Sequence, residues 1–167
     1  LLLLPLDGES FTLYLDRVLE RLRATRPELD ERISVYRSKW EAGEKSLLRD
    51  SPLAPMSDDG DVVRFQSARC TMTTLAVQFK IGTSAHMHLD ARLFNHPKHS
   101  EWSKAVLLLH EYLYALSREK GALTSRDARE ILSVLLIGDD ALMAAQLERS
   151  LADGPVLRGV PEDLGDL

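Results

Sequence analysis

The sequence predicts an α+β fold, on the basis of the order in which its patterns occur. Two amphipathic helical patterns come first, three short strand patterns follow, and further helical patterns complete the chain. Segregated runs of helix and strand are typical of an α+β domain, whereas a parallel doubly wound sheet requires alternation. The 167 residues, 44% of them hydrophobic, suffice for one domain with its own core. We expect a single domain over residues 1–152 and a loosely held, Gly/Pro-rich tail over residues 153–167.

The N-terminal part of the chain predicts a helical hairpin. Ser10 is a candidate N-cap, and the apolar residues after it recur at the i, i+3, i+4, i+7 spacing of an amphipathic helix. Pro27 breaks this pattern and suits the first turn of a second helix. Each helix has an apolar face, more typical of a core than of a groove for a partner. These faces comprise Leu15, Val18, Leu19 and Leu22 on the first helix and Leu29, Ile33, Tyr36 and Trp40 on the second.

Three strand patterns follow a loop over residues 50–61 that is rich in Pro, Ser, Asp and Gly. The patterns cover residues 62–65, 74–81 and 85–90. The second strand carries on one face Leu75, Val77, Phe79 and Ile81. Gly82-Thr83-Ser84 predicts a tight hairpin between the last two strands, and we therefore expect a small antiparallel sheet. On the third strand His86, His88 and Asp90 share one face, because successive side chains alternate.

A long, apolar helix is predicted next, with Ser100 as its N-cap and Gly121 just past its C-terminus. It is apolar almost all round, so we expect it to be covered on more than one side and to be central. Two more helical patterns cover residues 126–137 and 141–152. The main core face of the central helix comprises Trp102, Ala105, Val106, Leu109, Leu113 and Leu116.

Composition excludes several classes of protein. The net charge is −5 and no basic patch stands out, which argues against a nucleic-acid partner. No apolar run is long enough for a transmembrane segment, and no Gly-rich phosphate-binding motif occurs. Cys70 is the single cysteine, so no intramolecular disulfide can form. This does not indicate whether the protein is exported, because exported proteins need not contain disulfides. The chain begins with Leu rather than Met, so we expect its native N-terminal segment to be missing.

The central helix contains a His-Glu pair in 106-VLLLHEYLY-114. In zinc peptidases the motif H-E-x-x-H places two ligands one turn apart and adds a Glu that polarises the metal-bound water. His110, Glu111 and Tyr114 occupy those positions, with tyrosine in place of the second histidine. Neutral tyrosine is a poor zinc ligand. In the metal interpretation His110 binds zinc with His86 and His88, Glu111 is the base, and Tyr114 is a ligand or a hydrogen-bond donor to the transition state.

The alternative is a structural interpretation, which we favour and which requires no cofactor. Arg126 and Arg129 lie three residues apart at the start of the next helix, and either could form a bidentate pair with Glu111. A buried network of His110, Glu111, Tyr114 and one of these arginines would then fix the packing of two helices. Networks of this kind are the common alternative to an active site.

Two resemblances bear on this helix. The segment 85-AHMHLDARLF-94 ahead of 106-VLLLHEYLY-114 resembles the zincin-type metallopeptidase core, in which an exposed strand precedes the H-E-x-x-H helix and crosses near the metal. The chain also resembles a group of exported bacterial proteins without an assigned activity, whose members tend to carry His-Glu-x-x-Tyr. The second resemblance is carried by 70-CTMTTLAVQF-79, 86-HMHLDARLF-94, 104-KAVLLLHEYLYAL-116 and 125-SRDAREILSVLL-136.

The second resemblance implies a periplasmic or secreted location, with the signal peptide absent from this chain. Two functions are therefore expected as alternatives. The first is a non-catalytic exported protein whose zincin-like helix is structural and which binds a protein or envelope partner. The second is a metal-dependent hydrolase of peptidase type, with an unusual ligand set around His110 and Glu111.

Overall fold

A computed structural model describes residues 6–42, 46–54, 73–81, 84–119, 121, 125–137, 141–142 and 145. Within these residues the elements are α1 (Phe11–Thr25), α2 (Pro27–Glu41), β1 (Ser46–Arg49), β2 (Ala76–Ile81), β3 (Ser84–Asp90), α3 (Ala91–Phe94), α4 (Glu101–Glu119) and α5 (Arg126–Ile137). The α+β class and the N-terminal helical hairpin are thus confirmed. The predicted strand over 62–65, most of the predicted last helix and the tail over 153–167 lie outside the described residues.

The two helices of the hairpin, α1 and α2, begin at the residues that the sequence predicts. The Ser10 hydroxyl accepts a hydrogen bond from the Leu13 amide at 3.4 Å, which satisfies one of the free donors at the start of α1. Pro27 occupies the first turn of α2, where no amide donor is needed. Both predicted apolar faces enter the core. Their buried members are Leu15, Val18, Leu19, Leu22, Leu29 and Ile33, and Tyr36 and Trp40 pack at its edge.

The sheet has the order β1-β3-β2, so that β3 is its middle strand. β2 pairs with β3 in the antiparallel manner that the sequence predicts. β1 was not predicted, and it pairs with β3 in parallel, with Ser46 opposite Met87 and Arg49 opposite Asp90. The sheet is therefore mixed rather than purely antiparallel. β3 has a neighbour along both edges over Met87 to Leu89, and it differs there from the exposed strand that the zincin resemblance implies.

The two faces of the sheet have different surroundings. Met87 and Leu89 are buried in the core, and Gln78 lies directly opposite Met87 on the same face. α4 packs against this face. Because side chains alternate along a strand, His86 and His88 project from the other face, away from α4.

The central position predicted for α4 is confirmed, because this helix packs against α1, α2, α5, β2 and β3. It begins after Ser100, whose hydroxyl accepts from the Ser103 amide at 3.1 Å. Gly121 follows its end with a φ of +92°, a left-handed conformation that glycine adopts readily. No helix in the described ranges is long and apolar enough to cross a membrane. The buried residues of α4 are Ala105, Leu108, Leu109, Glu111, Tyr112, Leu113, Ala115 and Leu116.

Candidate functional site

The candidate site lies on the middle of α4. His110 and Tyr114 are one turn apart and half-buried, with ring centroids 6.3 Å apart and a 35° angle between the rings. Glu111 is 7% exposed, so its side chain lies inside the protein. The helical spacing brings the three residues to one region of α4.

Gln78 on β2 is a hydrogen-bond partner of Glu111. Its Nε2 donates to Glu111 Oε2 at 2.8 Å and to the main-chain oxygen of Glu111 at 2.5 Å. Gln78 is itself 8% exposed, so both bonds lie in the interior. A buried carboxylate is costly unless it is hydrogen-bonded, and the strand supplies such a bond. The other end of the amide, Oε1, is buried and has no hydrogen-bond partner among the residues that the structure describes.

Arg118 adds a second link between α4 and β2. Its Nη1 donates to the main-chain oxygen of Gln78 at 2.9 Å. Its guanidinium carbon lies 5.5 Å from the centroid of the Tyr114 ring, within cation–π range. We call the group of Gln78, Glu111, Tyr114 and Arg118 the strand–helix junction. It joins the C-terminal half of α4 to the middle of β2.

His86 and His88, the further ligands of the metal interpretation, lie on the other face of the sheet. His86 stacks on Phe79 at 5.7 Å between ring centroids, and His88 meets the same ring edge-on at 4.5 Å. Burial lowers the pKa of His88, and electrostatic interaction with the nearby Arg49 and His86 lowers it further. The pleat of β3 therefore separates these two histidines from His110. The part of the chain that the structure describes contains no group of three or more His, Cys, Asp or Glu side chains that could hold a metal ion.

Asp90 shares the histidine face of β3 by register, but its carboxylate caps the helix that follows. Oδ1 accepts from the amides of Arg92 and Leu93 at 3.0 and 3.3 Å. Oδ2 accepts from Arg92 Nη2 at 2.8 Å. The bond to the Arg92 guanidinium is the main reason why the pKa of Asp90 is lowered. The role of Asp90 is therefore to connect β3 to α3.

Arg126 and Arg129 lie in the first turn of α5 and are both exposed. Arg129 Nη1 donates to the Ser125 hydroxyl at 2.5 Å. That either arginine pairs with the buried Glu111 stays a prediction. Arg118, which belongs to the strand–helix junction, lies on the same helix as Glu111.

Comparison of this chain with protein-family models, with characterised proteins and with solved structures finds no match. Gln78 and Arg118 were not among the residues that the sequence singled out. A glutamine within the apolar pattern 75-LAVQFKI-81 was the available signal for Gln78.

Proposed function

We propose that this chain is a non-catalytic exported protein, whose His-Glu-x-x-Tyr helix is structural and which serves binding or an interaction with the cell envelope. The observation that carries the proposal is the buried hydrogen bond from Gln78 to Glu111. This bond uses the carboxylate to hold the sheet against α4. A glutamate in that role stabilises the fold and needs no metal.

The geometry favours this function over a metal-dependent hydrolase. A general base must reach the water that it activates, whereas the Glu111 side chain is buried and accepts from an amide of the strand. The ligand set of the hydrolase also needs His86 and His88 beside His110, and the alternation of β3 turns both away from α4.

The proposed location is the periplasm or the exterior of the cell, and the proposed partner is a protein or an envelope component. The support is the resemblance of four segments to exported bacterial proteins, including the His-Glu-x-x-Tyr turn itself. Fractionation of cells that produce the full-length protein tests the location. Recovery in the periplasmic or secreted fraction, apart from a cytoplasmic marker enzyme, is expected, and recovery with that marker contradicts the proposal.

Metal content separates the two functions directly. The protein is purified without a histidine tag, soaked in zinc, dialysed and measured by elemental mass spectrometry. We expect zinc far below one equivalent, with equal amounts in the unaltered protein and in His110→Ala. The matched control is His96→Ala, which changes an exposed histidine in the loop before α4. Near-stoichiometric zinc that is lost in His110→Ala but kept in His96→Ala would overturn the proposal and support the hydrolase.

A further inference from the structure

We draw no further inference here: the strongest candidate, the half-buried face of the sheet that carries Phe79, His86 and His88, has nothing in the described residues to show what covers it or which ligand it would take.

Discussion

Glu111 illustrates how one polar residue is accommodated on an otherwise apolar part of a helix. Moving a carboxylate out of water is unfavourable, and hydrogen bonds to the charged form offset part of that cost. Gln78 provides one such bond to Oε2 and a second to the main-chain oxygen of the same residue. Because the donor comes from β2 and the acceptors from α4, the bonds also fix how the strand sits on the helix.

A double-mutant cycle tests this pairing. Gln78→Ala and Glu111→Ala are each expected to lower the free energy of unfolding. The double variant should lose less free energy of unfolding than the two single variants lose together, because both changes remove the same bond. The expected coupling free energy is about 1.5–3 kcal/mol, the range for a hydrogen bond to a charged group. Urea denaturation of the unaltered protein and the three variants measures it.

The control for this cycle is Glu20→Ala, which removes an exposed carboxylate on α1. In combination with Gln78→Ala it should be additive to within about 0.5 kcal/mol, because the two sites share no bond in the structure. If the coupling free energy between Gln78 and Glu111 is no larger than in this control, the bond contributes nothing measurable to stability.

The contacts of Asp90 predict how the stability of the fold depends on pH. The Arg92 guanidinium, followed by main-chain amides, holds the pKa of Asp90 below its ordinary value of 3.8. The charged form is thus favoured in the folded state. The stability it contributes is present above the unfolded pKa and is lost as the pH falls through the folded pKa. Asp90→Asn keeps a capping oxygen but removes the charge, so its melting temperature should depend less on pH below about 4.

Thermal melts followed by circular dichroism from about pH 6 to about pH 3 test this expectation. Asp7→Asn is the control, because it changes an exposed carboxylate in the turn before α1. Its melting temperature should fall with pH as steeply as that of the unaltered protein. If the melting temperature of Asp90→Asn falls as steeply with pH, the charge of Asp90 does not contribute to the pH dependence of stability.

At the scale of elements, the sequence predicts those that depend on local signals. Ser10 and Ser100 cap α1 and α4, Pro27 opens α2, and Gly121 follows α4, all as expected. These residues determine the ends of helices through contacts with residues close to them in sequence, so a local pattern is enough to predict them. β1 was missed because its four residues pair in parallel with a strand far away in the sequence. Such a pairing leaves no local pattern to recognise.

The sheet also shows why the candidate site was only partly predicted. Helical spacing was enough to place His110, Glu111 and Tyr114 together. The alternation along β2 defines two faces, but it does not say which of them α4 covers. The polar Gln78 faces α4, whereas the apolar Phe79 faces the other way beside the histidines. On its own face Gln78 meets Glu111, a residue 33 positions further along the chain, so no local pattern reveals this pairing.

The choice of face can be tested by shortening one side chain of β3. Leu89 is fully buried on the α4 side, so Leu89→Ala should lower the free energy of unfolding by about 2–5 kcal/mol. Leu13→Ala is the control, because that leucine is 59% exposed on α1 and its loss should change stability by no more than about 0.5 kcal/mol. Urea denaturation compares the two. A loss in Leu89→Ala as small as in Leu13→Ala would mean that this face of β3 is not in the core.

At the scale of the whole molecule, α4 joins the helical layer to the sheet. One cluster of buried residues includes members from α1, α2, β3, α4 and α5. Polar contacts join the same elements, since the Trp102 indole on α4 donates to the Tyr14 hydroxyl on α1 at 3.2 Å. Elements that share one core cannot expose their apolar faces independently without a large cost in solvation. The described elements should therefore unfold together.

The two tryptophans of the chain allow a direct test of this cooperativity, because Trp40 lies on α2 and Trp102 on α4. Trp40→Phe leaves Trp102 as the only tryptophan, and Trp102→Phe leaves Trp40. Each variant is unfolded in urea while its fluorescence and its far-ultraviolet circular dichroism are recorded together. In a single cooperative domain the two signals share one midpoint within each variant, even if the substitution shifts that midpoint.

Comparison within a variant serves as the control, since both signals then come from protein of the same stability. If the Trp40 signal changes at lower urea than the helical signal while the Trp102 signal does not, the hairpin unfolds separately from α4. That result would contradict the single domain predicted over residues 1–152. Coincident midpoints in both variants would instead place α2 and α4 in one cooperative unit. A substitution that destabilises the strand–helix junction would then destabilise the hairpin as well, because one free energy of unfolding would apply to the whole unit.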